Sequence, residues 1–107
     1  MHARLGYDAI VVGGGPSGLA AAVRLAEHGI TDVAVLDRDV ALARRGLPHG
    51  VDLVEGCEVT DILIHRGRVA GVGTTHGCIE APHVVLAAGA LPDALVDVGP
   101  LDGLFVS

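Results

Sequence analysis

The chain has 107 residues, half of them apolar, which is enough for one domain with a real core and too apolar for a disordered tail. Tyr7 and Phe105 are its only aromatic residues, so Val, Leu, Ile and Ala must build that core, and base stacking or aromatic clamping of a ligand is disfavoured. Seven Arg, with no Lys, against thirteen acidic residues give a formal charge of −6. That balance disfavours nucleic acid and anionic membrane surfaces as partners, and it leaves a small anion only a local positive pocket.

Residues 1–22 imitate a secretory leader, with Arg4, an apolar stretch and an Ala-rich end, but Asp8 and the glycine run after Val12 interrupt any apolar segment. No stretch reaches the roughly 18 continuous apolar residues of a membrane helix, so a soluble, cytoplasmic protein is expected. Residues 7–12 end in Ile10, Val11 and Val12 and read as a strand buried on both faces. A run of Gly, Pro and Ser breaks it. Residues 19–28 then place Leu19, Ala22, Val23 and Ala26 at helical spacing and stop before Gly29, a good C-terminal cap. Residues 33–36 form the next strand. Strand, glycine turn, helix and strand together make a βαβ unit with parallel strands and a right-handed crossover.

Residues 39–45 have room for barely two turns of helix before Gly46, Pro48 and Gly50, and residues 51–54 read as a third strand. The pattern then changes to three β-like runs, 57–64, 69–75 and 78–80, separated by Arg66-Gly67 and His76-Gly77. Those separations suit tight hairpins and hence a three-stranded antiparallel meander. Further strands are expected at 84–87 and 103–106. The fold class is α/β, a Rossmann-like parallel sheet whose crossover contains the meander. Cys57 and Cys78 form no CxxC and have no nearby histidine pair, so both are expected to be small buried apolar residues rather than metal ligands or a disulfide. The scattered histidines read as surface or boundary residues.

The run Gly13-Gly14-Gly15-Pro16-Ser17-Gly18 satisfies GxGxxG. The motif alone is weak, but here it follows a strand and opens a helix, and Asp37 ends the next strand 19 residues after Gly18. Gly13 permits the tight turn, Gly15 lets a pyrophosphate approach the backbone, and Gly18 lets the helix pack closely. The helix start offers N–H groups and a positive dipole end to phosphates, which reconciles anion binding with an acidic chain. Asp37 would accept hydrogen bonds from a ribose diol. The bland alternative is a glycine turn joining strand to helix, with Asp37 a solvated strand end.

With these residues in view, positions 7–39, and GGGPSGLAAA in particular, resemble the N-terminal FAD-binding segment of the glutathione-reductase-type two-dinucleotide-fold flavoproteins. The stretch GVDLVEGCEVTDILIHRGRVAGVGTTHGCIEAPHVVLAAGA, residues 50–90, is similar to the D-amino-acid-oxidase-like branch of FAD-dependent oxidoreductases, in which a β-meander precedes a strand ending in an AxG-type turn. The resemblance implies FAD as cofactor. It implies that Gly13, Gly15, Pro16, Ser17 and Gly18 form the pyrophosphate turn, and that Asp37 binds the adenosine ribose, where many relatives use Glu. It further implies that the backbone of Val59 pairs with adenine, and that Ala87, Ala88 and Gly89 pass beside the ribose and phosphates. Arg38 stands where relatives often carry a basic residue near the adenosine half, and an exposed arginine accounts for it equally well.

Two departures from the family pattern shape the functional expectation. The eleven residues 40–50 stand where relatives of this branch carry a long insertion with much of the substrate domain, and the family's glycines and basic residue survive there only as Ala43-Arg44-Arg45-Gly46. The chain also stops where relatives continue toward the flavin side of the cofactor. Residues 1–107 are therefore expected to form a minimal dinucleotide-binding domain that holds the ADP moiety of FAD, has no catalytic residue of its own, and works as a homo-oligomer or beside a partner subunit. The rivals are an NAD- or ADP-binding module without redox activity and a non-catalytic structural subunit or fold fragment.

Overall fold

The structure, a computed structural model, describes residues 6–38, 48–87 and 101–106. The short helix expected at 39–45 and two expected site residues, Ala88 and Gly89, lie outside the described residues. Strands β1 (Ala9–Val12) and β2 (Val33–Leu36) flank helix α1 (Pro16–Glu27) in sequence, and β3 (Val51–Val54) follows. Strands β4 (Val59–His65), β5 (Arg68–Thr74) and β6 (Gly77–Glu80) come next, then β7 (His83–Leu86) and β8 (Leu104–Val106). The main sheet is five-stranded in the order β3-β2-β1-β7-β8, and every pairing in it is parallel. β4, β5 and β6 form a separate three-stranded antiparallel sheet.

The Rossmann-like expectation holds, and its physical basis is plain in β1 and β2, whose AIVV and VAVL sequences are buried at every position. A strand covered on both faces needs an unbroken apolar run, whereas a half-exposed strand alternates. One face of the sheet presents Ile10, Val12, Ala34, Leu36, Val54, Val84 and Leu86 to a core completed by Val59, Val69, Val72 and Ile79 of the meander. The opposite face presents Ala9, Val11, Val33, Val35, Leu53 and Val85 to Ala21, Ala22 and Leu25 of α1. The meander thus lies across one face and the helix across the other. Each fully buried Leu or Ile side chain contributes roughly 1.5–3 kcal/mol by leaving water.

Several local expectations shift. The first strand begins at Ala9 rather than residue 7, because the amides of Asp8 and Ala9 both donate to the Asp32 carbonyl and the parallel ladder starts there. Helix α1 begins at Pro16, three residues earlier than the apolar spacing suggested, and turns Gly18 and Ala22 inward while Val23 is 37% exposed. Once Gly18 is fixed against the glycine turn, the 3.6-residue period carries positions 22 and 25 inward and swings 23 to the side. Only one of the two cysteines is buried: Cys57 is enclosed, and Cys78 is exposed. Cys78 alternates with buried Ile79 along β6, so its side chain faces solvent. Arg66 and Gly67 both take positive φ, as a two-residue hairpin between β4 and β5 requires.

Candidate functional site

The strand order reverses at β1, since the chain runs outward through β2 and β3 on one side and through β7 and β8 on the other. Ligands of open parallel sheets bind in the crevice at the carboxyl ends of the strands where that reversal occurs. Here the crevice lies between the residues following Val12 and those following Leu86. Gly13 donates its amide to the Leu36 carbonyl at 2.8 Å, and Ala87 donates to the Val12 carbonyl at 3.0 Å. Gly13 has φ +105°, and a Cβ on it would stand 3.5 Å from the Ala87 Cβ. The chain can therefore turn sharply at Gly13 without closing the crevice.

The turn leads directly into α1. A Cβ on Gly18 would overlap the Gly13 carbonyl oxygen and lie 2.7 Å from its carbonyl carbon, so the first helical turn rests on the strand end. Gly15 behaves in the opposite way, as nothing lies within 4 Å of the position its Cβ would take. Gly15 is the N-cap, Pro16 occupies the first turn, no side chain caps the helix, and the first turn carries no acid. Pro16 has no amide, and the Ser17 and Gly18 amides have no acceptor within the helix. They stand at the positive end of a twelve-residue helix dipole. This helix start is thus suited to an anion even in an acidic chain.

Asp37 follows β2 and closes one side of this crevice. Its backbone amide donates to the Val54 carbonyl at 3.0 Å, and its carbonyl accepts from the buried Cys57 amide at 2.8 Å. Its carboxylate Oδ2 accepts from the Gly14 amide at 2.6 Å. Gly13, Gly15, Pro16, Ser17, Gly18, Asp37 and Ala87 are therefore gathered at one edge of the sheet. Arg38 is exposed beside Asp37. Val59 opens β4 two residues after Cys57, and its side chain is buried in the core, which leaves only its backbone for recognition. The bond from Gly14 to Asp37 was not legible in the sequence, where Gly14 is a variable position of GxGxxG. The opposite end of the sheet is poorly suited to phosphate: an open hollow there is lined by Tyr7, Asp8, Asp32, Glu80 and Pro82.

The family model described as FAD dependent oxidoreductase matches residues 40–104, more than half of the chain. The chain belongs to that family. FAD is the cofactor of the FAD-dependent oxidoreductases, and an NAD(P)-binding Rossmann-like domain model also matches residues 11–55. Among curated relatives of this FAD-dependent chain, the glycine oxidase of Pseudomonas putida is 38% identical over 86 residues, 78% of this chain and 22% of that protein. The sarcosine oxidase subunit beta of Arthrobacter sp. is 40% identical over 58 residues, 54% of this chain and 14% of that protein. The chain thus spans less than a quarter of the length of either relative. In fold, it is similar to the solved structure of glycine oxidase from Bacillus cereus at a TM-score of 0.70 and 16% identity, covering 84% of this chain and 58% of that one. No helix among the described residues is long and apolar enough to cross a membrane.

Proposed function

We propose that this chain holds the ADP moiety of FAD at the turn formed by Gly13, Gly15, Pro16, Ser17 and Gly18. The observation that carries this reading is the uncapped, acid-free start of α1 beside the empty space over Gly15, set at the switch point of the sheet. The residues fit a pyrophosphate there: glycine leaves the backbone approachable, and the Ser17 and Gly18 amides donate to phosphate oxygens. Asp37 accepts from the ribose hydroxyls, since a carboxylate is an acceptor-only group with two oxygens and this one stands at the end of β2 beside the turn. Ala87 stands beside the ribose and phosphates, the Val59 backbone meets adenine, and Arg38 lies toward the adenosine half.

The flavin, when bound, supplies the redox chemistry. These residues bind and orient it, and none of them is assigned a proton transfer with substrate. The names of the relatives, glycine oxidase and sarcosine oxidase, make a small α-amino acid the substrate class to test for the complete enzyme. We read this chain as catalytically incomplete alone. Turnover needs substrate held against the flavin in a pocket that excludes water, and residues 37–50 between β2 and β3 are too few to roof one. A partner subunit or a second copy would supply the pocket wall, and sedimentation of the chain alone and with added FAD tests for assembly.

The binding test is a calorimetric titration with FAD, ADP and NAD, supported by the absorbance of bound flavin. ADP is expected to compete almost as well as FAD, and Gly15→Val is expected to weaken both at least tenfold, on the order of 1.4 kcal/mol. Unchanged affinity in Gly15→Val would refute the assigned site. The match to an NAD(P)-binding Rossmann-like model supports a second reading, a nicotinamide-nucleotide module. It would gain the ground if NAD bound as tightly as FAD.

A further inference from the structure

We infer that Asp37 is a positioning residue for the pyrophosphate turn, shaping it before any nucleotide arrives, in addition to meeting the ribose. The inference rests on the reading of that turn as the pyrophosphate site. Three consecutive glycines are the costliest stretch of backbone to hold in one conformation, because each has more freedom to lose than any other residue. Two bonds hold this one to the end of β2. Gly13 donates to the Leu36 carbonyl at 2.8 Å, and buried Gly14 donates to the Asp37 carboxylate at 2.6 Å.

The second bond is charge-assisted and so belongs to the stronger class. Its acceptor is also anchored. Asp37 is fixed through its own backbone to Val54 on one side and to Cys57 on the other, and Cys57 is 1% exposed. The Asp37 backbone is thus held independently of the turn, and its carboxylate reaches Gly14 from a fixed strand end. With Gly13 and Gly14 tied down, Gly15 and the first amides of α1 are left facing the crevice in a set geometry. Preorganisation of this kind raises affinity by removing an ordering cost from the binding step.

A residue that only meets the ribose and one that also shapes the turn differ in a measurable way. The probes are ADP and 2′,3′-dideoxy-ADP, which lacks the ribose hydroxyls. They are titrated against the parent chain, Asp37→Ala and Asp37→Asn, with hydrogen exchange at the Gly14 amide followed in nucleotide-free protein. Asp37→Ala is expected to weaken dideoxy-ADP by about tenfold or more, the equivalent of losing a charge-assisted hydrogen bond, and to speed exchange at Gly14. In Asp37→Asn the amide oxygen still accepts from Gly14, so slow exchange and most of the dideoxy-ADP affinity should return. Should Asp37→Ala fail to fold, Asp37→Ser, too short to span to Gly14, takes its place. A loss seen with ADP and absent with dideoxy-ADP would reduce Asp37 to a ribose contact and overturn the inference. Equal Gly14 exchange in parent and Asp37→Ala would overturn it as well, whatever the binding data. A parent chain that binds neither nucleotide would bring down the site reading and this inference together.

Discussion

Replacing Gly18 with alanine sets two opposing effects against each other. Gly18 lies in the first turn of α1, where alanine's intrinsic helix preference over glycine is at most about 1 kcal/mol and would stabilise the protein. The tertiary structure reverses the sign. The added Cβ would overlap the Gly13 carbonyl oxygen, approach its carbonyl carbon to 2.7 Å and touch Val11 at 3.4 Å. None of these is the far end of a flexible side chain. Gly13 cannot retreat, because its amide is held by Leu36 at 2.8 Å and the next amide by Asp37. Relief then requires α1 to lift from the sheet, which uncovers Ala22, Val11 and Val35. Overpacking of this kind costs about 1–3 kcal/mol, and the absence of a compliant neighbour puts it at the upper end. The net destabilisation is therefore on the order of 2 kcal/mol, a fall in Tm of roughly 10 °C for a domain of this size. Gly15→Ala is the internal control. Its φ of −74° suits any residue and its Cβ would meet nothing within 4 Å, so stability should stay within about 0.5 kcal/mol while nucleotide affinity falls. Thermal unfolding followed by circular dichroism, with calorimetric ADP titration, reads both variants. A Gly18→Ala protein as stable as the parent would refute the packing argument, and a Gly15→Ala protein destabilised as much as Gly18→Ala would refute the open space over that residue.

Other expectations follow from burial and hydrogen bonding. Ala22 is fully buried and Val23 is 37% exposed, so Ala22→Leu should cost about 1–3 kcal/mol by overpacking and Val23→Ser within about 0.5 kcal/mol, which denaturant titration would resolve. Cys78 should react with a thiol reagent in the native state and Cys57 only on unfolding, since one is exposed and the other buried. Mass spectrometry of the modified peptides tells them apart. Tyr7 donates its hydroxyl to Asp52 Oδ2 at 2.8 Å across β2, so Tyr7→Phe should lower stability by about 1 kcal/mol. No loss in chemical denaturation would mean that solvent replaces that bond without cost.

The sequence by itself determined the strands and the place of the glycine turn between β1 and α1. Unbroken runs such as Val33-Ala-Val-Leu36 can be stable only where both faces are covered, and a run of Gly, Pro and Ser after such a strand marks the turn into the helix. Strands β2 and β3 accordingly fall on the residues expected from sequence, and the glycine turn brings Gly18 against Gly13 and Gly14 to Asp37, while Ala87, which only the family resemblance had singled out, stands beside Gly13. Arg66-Gly67 and the alternation around it likewise announced the hairpin. What sequence could not fix were the quantities that depend on residues distant in the chain. The rotation of α1 follows from where Gly18 rests on Gly13, which overrides the spacing of Leu19, Val23 and Ala26. Cys78 faces outward because its parity on β6 is set by Ile79 entering the core. The Asp37 carboxylate meets the Gly14 amide because β2, β3 and the segment at Cys57 hold its backbone in place. Local pattern specifies what a segment can become, since propensity and periodicity act over a few residues. Its orientation is decided only when long-range packing and hydrogen bonding choose which of its faces has a partner.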